Sequence, residues 1–529
     1  MSPASSAPPA RPTADPAPRP RVAPLDLVAL GALVGVEPRP ETAQFAVRVS
    51  GVTQRASDVR PGDLFAALPG ARVHGADFAA AAIAAGAVAV LTDPAGLARP
   101  ELAAAVERGA VRVLVHPEPR AVLGPMSSAV YGDPTDRLAV LGVTGTSGKT
   151  TVAHLLEAGL TAAGRRTGLL GTVQTRIRGE GLRSVFTTPE APELQALFAL
   201  MLEREVTDVA MEVSSHALAL GRVTGTRFAV GAFTNLSQDH LDFHADMEEY
   251  FAAKAQLFLD PGWRARRAVI CVDDEWGVRL AGQVPEAVTV STVRPADWTV
   301  RDLVVEAGGA QQGVVRAPDG VEIPLRLELP GAFNVANALV ALAVLDAVGV
   351  PATVAAPGFA HLQVPGRMQR VDAGQPFLAV VDYAHKPAAV SALLEAIRAQ
   401  RPAGKLITVL GCGGDRDTGK RPIMGAAAAA RSDVLIVTDD NPRTEDPAEI
   451  RAAMRAGAEA ELARGSRCEV LEVGDRRAAI AAAVELAQPG DVVVVAGKGH
   501  ETGQEVHGVK HPFDDVQELS RAIGERQDT

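Results

Sequence analysis

The segment that most restricts the fold runs from Leu138 to Thr151. It opens with Leu138-Ala139-Val140-Leu141-Gly142-Val143 and continues Thr144-Gly145-Thr146-Ser147-Gly148-Lys149-Thr150-Thr151. A short unbroken apolar run is the pattern of a strand buried on both faces. Leu155, Leu156 and Leu160 then follow helical spacing. Strand, glycine loop and helix come in the order of a phosphate cradle. Glycines let backbone N–H groups approach an anion, and the helix N-terminus adds positive potential. Lys149 is placed for β- and γ-phosphates, and Thr150 or Thr151 for Mg²⁺. The match to GxxxxGK[ST] is not literal, because Val143 stands where the first glycine falls. The bland alternative is an ordinary Gly-rich strand–helix turn, against which the Lys-Thr-Thr run weighs.

The same rhythm recurs along the chain. Strand-like runs at Val209–Val213, Phe228–Phe233 and Ala268–Val272 alternate with helical stretches, which predicts a mainly parallel α/β sheet. A third region repeats it with Leu378–Val381, Leu406–Leu410, Val434–Val437 and Val492–Val495. A chemically rich loop follows each of these: Asp382–His385, Gly411–Arg416, Asp439–Arg443 and Gly497–Glu501. Ligands of open α/β sheets bind at the carboxyl ends of strands, so four such loops predict one shared site. A chain of 529 residues suggests about three domains. The expected partition is 1–25 a disordered Pro/Ala-rich tail, 26–134 an α/β domain, 135–360 a P-loop ATPase-like domain with a mainly parallel sheet, and 361–529 a Rossmann-like domain. Helical character is expected near Phe78–Ala85. Hinges are expected near 132–136 and 357–365, where Gly and Pro cluster. No fixed-period repeat is visible.

Composition narrows the function classes. Lys plus Arg total 52 against 63 Asp plus Glu, a formal charge of −11. That excess of acid argues against general binding to nucleic acid or to an anionic membrane. Three scattered cysteines, Cys271, Cys412 and Cys468, give neither a disulfide framework nor a CxxC metal site, and fit a reducing compartment. No run of 18 or more apolar residues occurs, so no membrane insertion is expected. The N-terminal stretch lacks the apolar core of a secretory signal. A cytoplasmic enzyme acting on small molecules, as a monomer, is the resulting expectation.

Several motifs together resemble the Mur ligase family. They are the loop Thr144–Thr151, Met211-Glu212-Val213-Ser214-Ser215-His216, Thr234-Asn235-Leu236-Ser237-Gln238-Asp239-His240-Leu241-Asp242, Gly331–Ala338, and Asp382-Tyr383-Ala384-His385, in collinear order. The resemblance implies an N-terminal UDP-binding domain, a central ATPase domain and a C-terminal amino-acid-binding domain. Within the family, Gly413–Asp417, Asp440-Asn441-Pro442-Arg443 and Gly497-Lys498-Gly499-His500-Glu501 resemble the diaminopimelate-adding branch.

The resemblance also implies roles. ATP, the co-substrate, would lie on Gly145, Thr146, Ser147, Gly148, Lys149, Thr150 and Thr151, with Asn334, Arg367 and Asp382 serving base, ribose or phosphate. Lys149, Glu212, His240 and Lys254 would be catalytic. Mg²⁺ would be held by Thr150, Thr151, Glu212, His240 and Lys254, the last carrying a CO₂-derived carbamate. In isolation, a helical lysine such as Lys254 is more often a solvated surface residue. Gln54, Ala71, Arg72, Val73, Thr187, Thr188, Ser214, Leu220 and Arg222 would hold a UDP-MurNAc-dipeptide. Many relatives read Asp-Ser-Arg where this chain has Thr53-Gln54-Arg55, so Gln54 departs from the pattern. Diaminopimelate would meet Arg416, Asp440, Asn441, Pro442, Arg443, Gly497 and Glu501. Arginines fork onto carboxylates, and lysine lacks the distal carboxylate, so Arg443 is the expected discriminator. The rivals are a ligase for L-lysine or D-Ala-D-Ala, a folylpolyglutamate synthetase-like ligase, and a nucleotide-sensing regulator on a ligase scaffold. The Asp440–Arg443 set weighs against the first three. The presence of Lys149, Glu212, His240 and Lys254 weighs against the last.

Overall fold

The computed structural model describes residues 19–39, 46–70, 72–182, 187–241, 243–306, 309–400 and 403–527. The described chain forms two compact units. The first comprises Met1–Arg137 with Pro189–Glu205 and Gly221–Thr226; the second holds Leu138–Thr188, Val206–Leu220 and Arg227–Thr529.

In the first unit, β1 (Gly51–Thr53), β2 (Asp63–Ala66), β3 (Ala89–Thr92) and β4 (Arg112–Val115) form a four-stranded parallel sheet. Their apolar residues alternate between two cores. Leu64, Ala66, Leu91 and Leu114 face one side, and Phe65, Val90 and Val113 the other. A sheet buried on both faces needs such runs. Residues 19–25, read from sequence as the end of a disordered tail, carry contacts in this unit. Both Asp63 oxygens accept from Arg19 Nη1 at 2.6 Å, and Leu25–Asp26 pairs with Arg48–Val49. Composition predicted disorder there, but one buried carboxylate gives the segment an anchor. The helical stretch expected near Phe78–Ala85 is a 3₁₀ turn, Gly75–Phe78, running into the helix Ala79–Ala84.

The second unit contains two large sheets. The first is built from β5 (Ala139–Thr144), β6 (Thr167–Leu170), β7 (Thr175–Ile177), β8 (Glu180–Leu182), β9 (Asp208–Glu212), β10 (Phe228–Phe233), β11 (Arg267–Cys271) and β12 (Val288–Val290), in the order β8-β7-β6-β9-β5-β10-β11-β12. All neighbours are parallel except those involving β7 and β8. The chain leaves β5 toward β6 on one side and later fills β10 on the other, so a crevice opens at the carboxyl end of β5. The helix Lys149–Ala162 runs from that point and buries Val152, Leu155, Leu156 and Leu160. A three-stranded antiparallel sheet follows, β13 (Thr299–Val305), β14 (Gln311–Arg316) and β15 (Glu322–Leu327).

The last large sheet comprises β16 (Gln369–Val371), β17 (Leu378–Asp382), β18 (Leu406–Leu410), β19 (Val434–Val437), β20 (Glu469–Glu472) and β21 (Val492–Ala496), ordered β16-β17-β21-β18-β19-β20. Only β16 is antiparallel. Its two faces are covered by separate cores, one holding Val380, Leu410 and Val494, the other Val381, Val409 and Val495. The expected α/β fold class is the one that forms, with a parallel sheet in the first unit and two mainly parallel sheets in the second. The four strands with chemically rich loops, β17, β21, β18 and β19, lie side by side and parallel, so those loops emerge on one edge.

Candidate active site

The loop Thr144–Thr151 is held open by its glycines. Gly145 has φ 147° and Gly148 φ 86°. A Cβ on Gly145 would lie 1.9 Å from Thr234 Oγ1, and one on Gly148 2.4 Å from Asn337 Oδ1. Thr234, just after β10, and Asn337, on the helix Ala332–Ala347, therefore close on the loop, and only glycine backbone fits. Asn235 Oδ1 accepts from Ser147 N at 2.9 Å, and Thr234 Oγ1 donates to Ser147 O at 2.7 Å. Thr150 and Thr151 are buried in the first helical turn.

Two lysines converge here. Lys149 Nζ and Lys254 Nζ each donate to Gly145 O at 2.8 Å. Lys254 stands on the helix Met247–Leu259 and is 1% exposed, with its ammonium 4.6 Å above the Tyr250 ring. It is no surface lysine. Burial lowers the Lys149 pKa to about 8, against a rise from the nearby Glu212 carboxylate. Burial, with Lys149 as a like-charged neighbour, carries Lys254 well below the usual lysine range.

Glu212 ends β9 and is 1% exposed, accepting from Thr172 N at 2.8 Å and Thr172 Oγ1 at 3.0 Å. Its backbone oxygen accepts from Thr188 Oγ1 at 2.9 Å, and Thr188 Oγ1 accepts from Ser214 N at 3.2 Å. Thr172 Oγ1 also reaches Thr187 Oγ1 at 3.0 Å. Thr187, Thr188, Ser214 and Glu212 thus form one cluster. The Ser214 oxygen caps the helix Ser215–Ala219 through Ala217 N, which leaves its proton for a further acceptor. Leu220 closes that helix and is half-buried.

His240 adopts φ 53° and lies 3.1 Å from Asp239 Oδ2. Burial lowers its pKa to about 4 despite that carboxylate, so the imidazole is neutral near pH 7. Asp239 itself pairs with Lys386, from the loop after β17. Lys386 was not singled out from sequence, although it directly follows Asp382–His385.

Asn334 is buried at the start of its helix, donating to Pro330 O at 2.6 Å and accepting from Asn337 Nδ2 at 3.0 Å. Asp382 accepts from Met368 N at 2.7 Å and Ala384 N at 2.8 Å, and burial raises its pKa. Arg367 stacks over Tyr383 at 4.5 Å. Arg367 Nε, His154 Nε2 and His500 Nδ1 are buried without a hydrogen-bond partner, and burial, with the Arg367 charge, lowers the His500 pKa to about 4. Buried polar atoms are rarely left so.

The four loops at the edge of the last sheet meet as expected. Gly497 N donates to Asp382 O at 3.1 Å, and Gly414 N to Asn441 O at 2.9 Å. Asn441 Nδ2 donates to Glu501 Oε2 at 2.8 Å. Gly497, at φ 116°, lets Asp440 approach, since a Cβ would stand 2.5 Å from Asp440 Oδ2. Pro442 is buried between Asn441 and Arg443. Arg443 takes φ 53°, donates from Nη1 to Gly414 O at 2.6 Å, and lies 3.6 Å from Glu505. Arg416 is exposed on the adjoining loop. Asn441 Oδ1 accepts from Lys498 Nζ at 3.0 Å and Glu505 N at 2.9 Å.

In the first unit, Gln54 and Arg222 meet on Glu190. Gln54 Nε2 lies 3.4 Å from Oε2 and Arg222 Nε 2.8 Å from Oε1, while Arg120 Nη1 donates to Oε2 at 3.1 Å. Glu190 and Arg120 carried no motif and were missed. Arg72 and Val73 are exposed on the loop before His74, whose Nε2 lies 3.0 Å from Asp93. Ala71, expected on that loop, and Asp242 of the Thr234–Asp242 motif lie outside the described residues.

Comparison with known proteins accounts for the same segments. Three family models match: "Mur ligase family, catalytic domain" over residues 48–131, "Mur ligase middle domain" over 143–345, and "Mur ligase, glutamate ligase domain" over 366–499. The UDP-N-acetylmuramoyl-L-alanyl-D-glutamate–2,6-diaminopimelate ligase of Corynebacterium glutamicum is 55% identical, covering 88% of this chain and 89% of its own. That of Streptomyces coelicolor is 50% identical over 96% and 99%. A solved structure of a ligase of that name aligns with TM-score 0.66 at 32% identity, covering 96% of this chain and 100% of the other. MurF from Acinetobacter baumannii shares the fold at TM-score 0.63 and 17% identity.

Proposed function

The chain belongs to the Mur ligase family, and from that premise we propose the reaction that its geometry serves: joining diaminopimelate to the D-Glu side-chain carboxylate of UDP-MurNAc-L-Ala-D-Glu, a step of peptidoglycan precursor synthesis. The enzyme is ATP-dependent and ADP-forming. A carboxylate is a poor acyl donor, because amine attack would have to expel oxide. Its oxygen therefore attacks the γ-phosphorus, the bond to ADP breaks, and an acyl phosphate forms. The diaminopimelate amine then adds to the carbonyl carbon and inorganic phosphate leaves.

Phosphoryl transfer asks mainly for positioning and charge neutralisation. Gly145, Thr146, Ser147, Gly148, Thr150 and Thr151 supply the cradle, and Lys149 the cation for the transferred group. Arg367, Asp382 and Asn334 serve the nucleoside side, a reading supported by the unpartnered Arg367 Nε beside His154 and His500. Thr187, Thr188 and Ser214, clustered around Glu212, are our candidates for holding the donor peptide next to the phosphate loop. In the other unit, Gln54, Arg72, Val73 and Arg222 are our candidates for contacts to the UDP sugar. Arg416, Asp440, Asn441, Pro442, Arg443, Gly497 and Glu501 form the diaminopimelate subsite.

The donor set suits Mg²⁺ once Lys254 is carbamylated. Among the described residues no group of three His, Cys, Asp or Glu side chains is arranged to hold a metal. Glu212 and the neutral His240 supply two donors, and a carbamate would add a hard oxygen. Lys254 can form one: burial and Lys149 favour the free amine, whose lone pair attacks CO₂ with loss of a proton. Mg²⁺ would supply charge neutralisation at the phosphates. Mass analysis of CO₂-equilibrated protein should show the addition; an unmodified amine, there and in a CO₂-replete crystal, would remove the carbamate. We place the enzyme in the cytoplasm, where its nucleotide substrates are made; no described helix is long and apolar enough to cross a membrane.

One observation carries the acceptor assignment: Arg443, held at positive φ with Nη1 on Gly414 O, follows Asp440 and Asn441 on one loop, and Asn441 Nδ2 holds Glu501 Oε2. Diaminopimelate presents both charges at its distal end, and lysine only the ammonium. ADP release with UDP-MurNAc-L-Ala-D-Glu should be fast with meso- or LL-diaminopimelate and slow with lysine. Equal rates with lysine would overturn the acceptor; product without ADP would overturn the mechanism.

A further inference from the structure

We propose that Lys498 is a positioning residue for the diaminopimelate subsite, its ammonium presetting Asn441 and Glu501 before the amino acid arrives. The inference rests on the subsite just assigned. Lys498 is fully buried two residues after β21, where a lysine needs strong compensation. Its Nζ donates to Asn441 Oδ1 at 3.0 Å and Glu501 Oε2 at 3.2 Å, and lies 3.8 Å from Asp440 Oδ1. Three residues from two loops are thus tied to one cation.

The tie fixes an orientation. Asn441 Oδ1 faces two donors, Lys498 Nζ and Glu505 N, while its Nδ2 faces Glu501 Oε2. Turning the amide over would set N–H₂ against an ammonium and an N–H, so only one orientation satisfies the site. Glu501 then has Oε2 held by Lys498 and Asn441. Its side chain stays 31% exposed, which leaves Oε1 to accept from an incoming ammonium. Lys498 cannot touch ligand itself, because none of it is accessible. It also balances one of the two carboxylates, Asp440 and Glu501, that would otherwise repel each other across the pocket. Its effect should fall on acceptor affinity, not on phosphoryl transfer.

Steady-state kinetics of the full-length enzyme test this. Lys498→Met should raise KM for diaminopimelate about tenfold, the loss of a charged hydrogen bond. At saturating diaminopimelate, kcat and KM for ATP should stay within about twofold of the parent. Removing the cation leaves Glu501 Oε2 with Asn441 Nδ2 alone and risks the fold, so Lys498→Met is also made in a Glu501→Gln background, where Asp440 is the one carboxylate that loses the ammonium. Relative to Glu501→Gln alone, KM for diaminopimelate should rise again, because Asn441 and Asp440 lose their tether. An unchanged KM for diaminopimelate in that background overturns the proposal. So does a parallel change in kcat and KM for ATP, the mark of general damage. Arg443→Ala separates the two levels. If it raises the diaminopimelate KM while Lys498→Met does not, Lys498 alone is misassigned. If neither does, the subsite itself fails.

Discussion

Single residues decide whether the two ends of this reaction can be held. Gly145 is caught between a φ of 147° and Thr234 Oγ1, which a Cβ would meet at 1.9 Å. Gly145→Ala should therefore displace the loop and lower ADP release by about a hundredfold, the usual cost of an ångström-scale misplacement; near-normal turnover would show that the loop tolerates a side chain. At the other end, Arg443→Ala should raise KM for diaminopimelate roughly tenfold to a hundredfold and narrow the preference over lysine. Competition kinetics with both amino acids would read that out, and an unchanged preference would take Arg443 out of recognition. The motif residues were visible from sequence because their spacing is local. Their partners were not. Thr172, Lys386 and Glu190 sit outside the motifs and matter through residues far along the chain, and Lys498, although inside the Gly497–Glu501 motif, is fixed by Asn441, 57 residues earlier.

Elements place these residues, and one buried pair ties two elements of the last sheet's surround together. Arg476, at the start of the helix Arg476–Leu486, forks onto Asp515, at the start of Asp515–Gln527, with Nε and Nη2 each 2.8 Å from a carboxylate oxygen. Both side chains are fully buried, and Arg476 Nη2 also donates to Ala496 O at 2.9 Å, the last residue of β21. Asp515→Ala would leave a guanidinium unpaired in the core, so it should cost about 3–5 kcal/mol. Urea unfolding would measure that, and a loss below about 1 kcal/mol, the range of surface pairs, would argue that the pair is hydrated. The strands themselves were legible. Phe228–Phe233, Leu406–Leu410 and Val434–Val437 form with the bounds their apolar runs predict; Leu378–Val381 and Val492–Val495 each extend by one residue, and Leu138–Val143, Val209–Val213 and Ala268–Val272 are each displaced by one residue at both ends. A doubly buried strand leaves little choice, since every side chain must be apolar. The short helix Ser215–Ala219 and the edge pair β7–β8 had no such signature.

For the molecule as a whole, acid should be destabilising over a defined window. Burial, the largest cause in each case, lowers the pKa of His154 to about 4 and of His385 to about 3. In the unfolded chain both titrate near 6.5. Below that value the unfolded state takes up protons that the folded state refuses, so stability is complete above about pH 6.5 and is lost as pH falls toward 4. Each histidine steepens the slope by at most about 1.4 kcal/mol per pH unit. The urea midpoint should drop between pH 7 and 5, and His154→Gln should flatten part of that drop; a midpoint independent of pH would contradict the neutral, buried state of these rings. The sequence by itself determined the α/β class, the glycine loop between β5 and its helix, and the family, because each is written in short-range order: apolar runs, glycine spacing, motifs in line. Tertiary structure alone decided which charges meet. It set Lys254 beside Lys149 on one carbonyl, and it enclosed Lys498 among Asn441, Glu501 and Asp440. A lysine reads alike in sequence whether water or a buried carboxylate surrounds it, and only packing fixes the dielectric and the neighbours that give it a function.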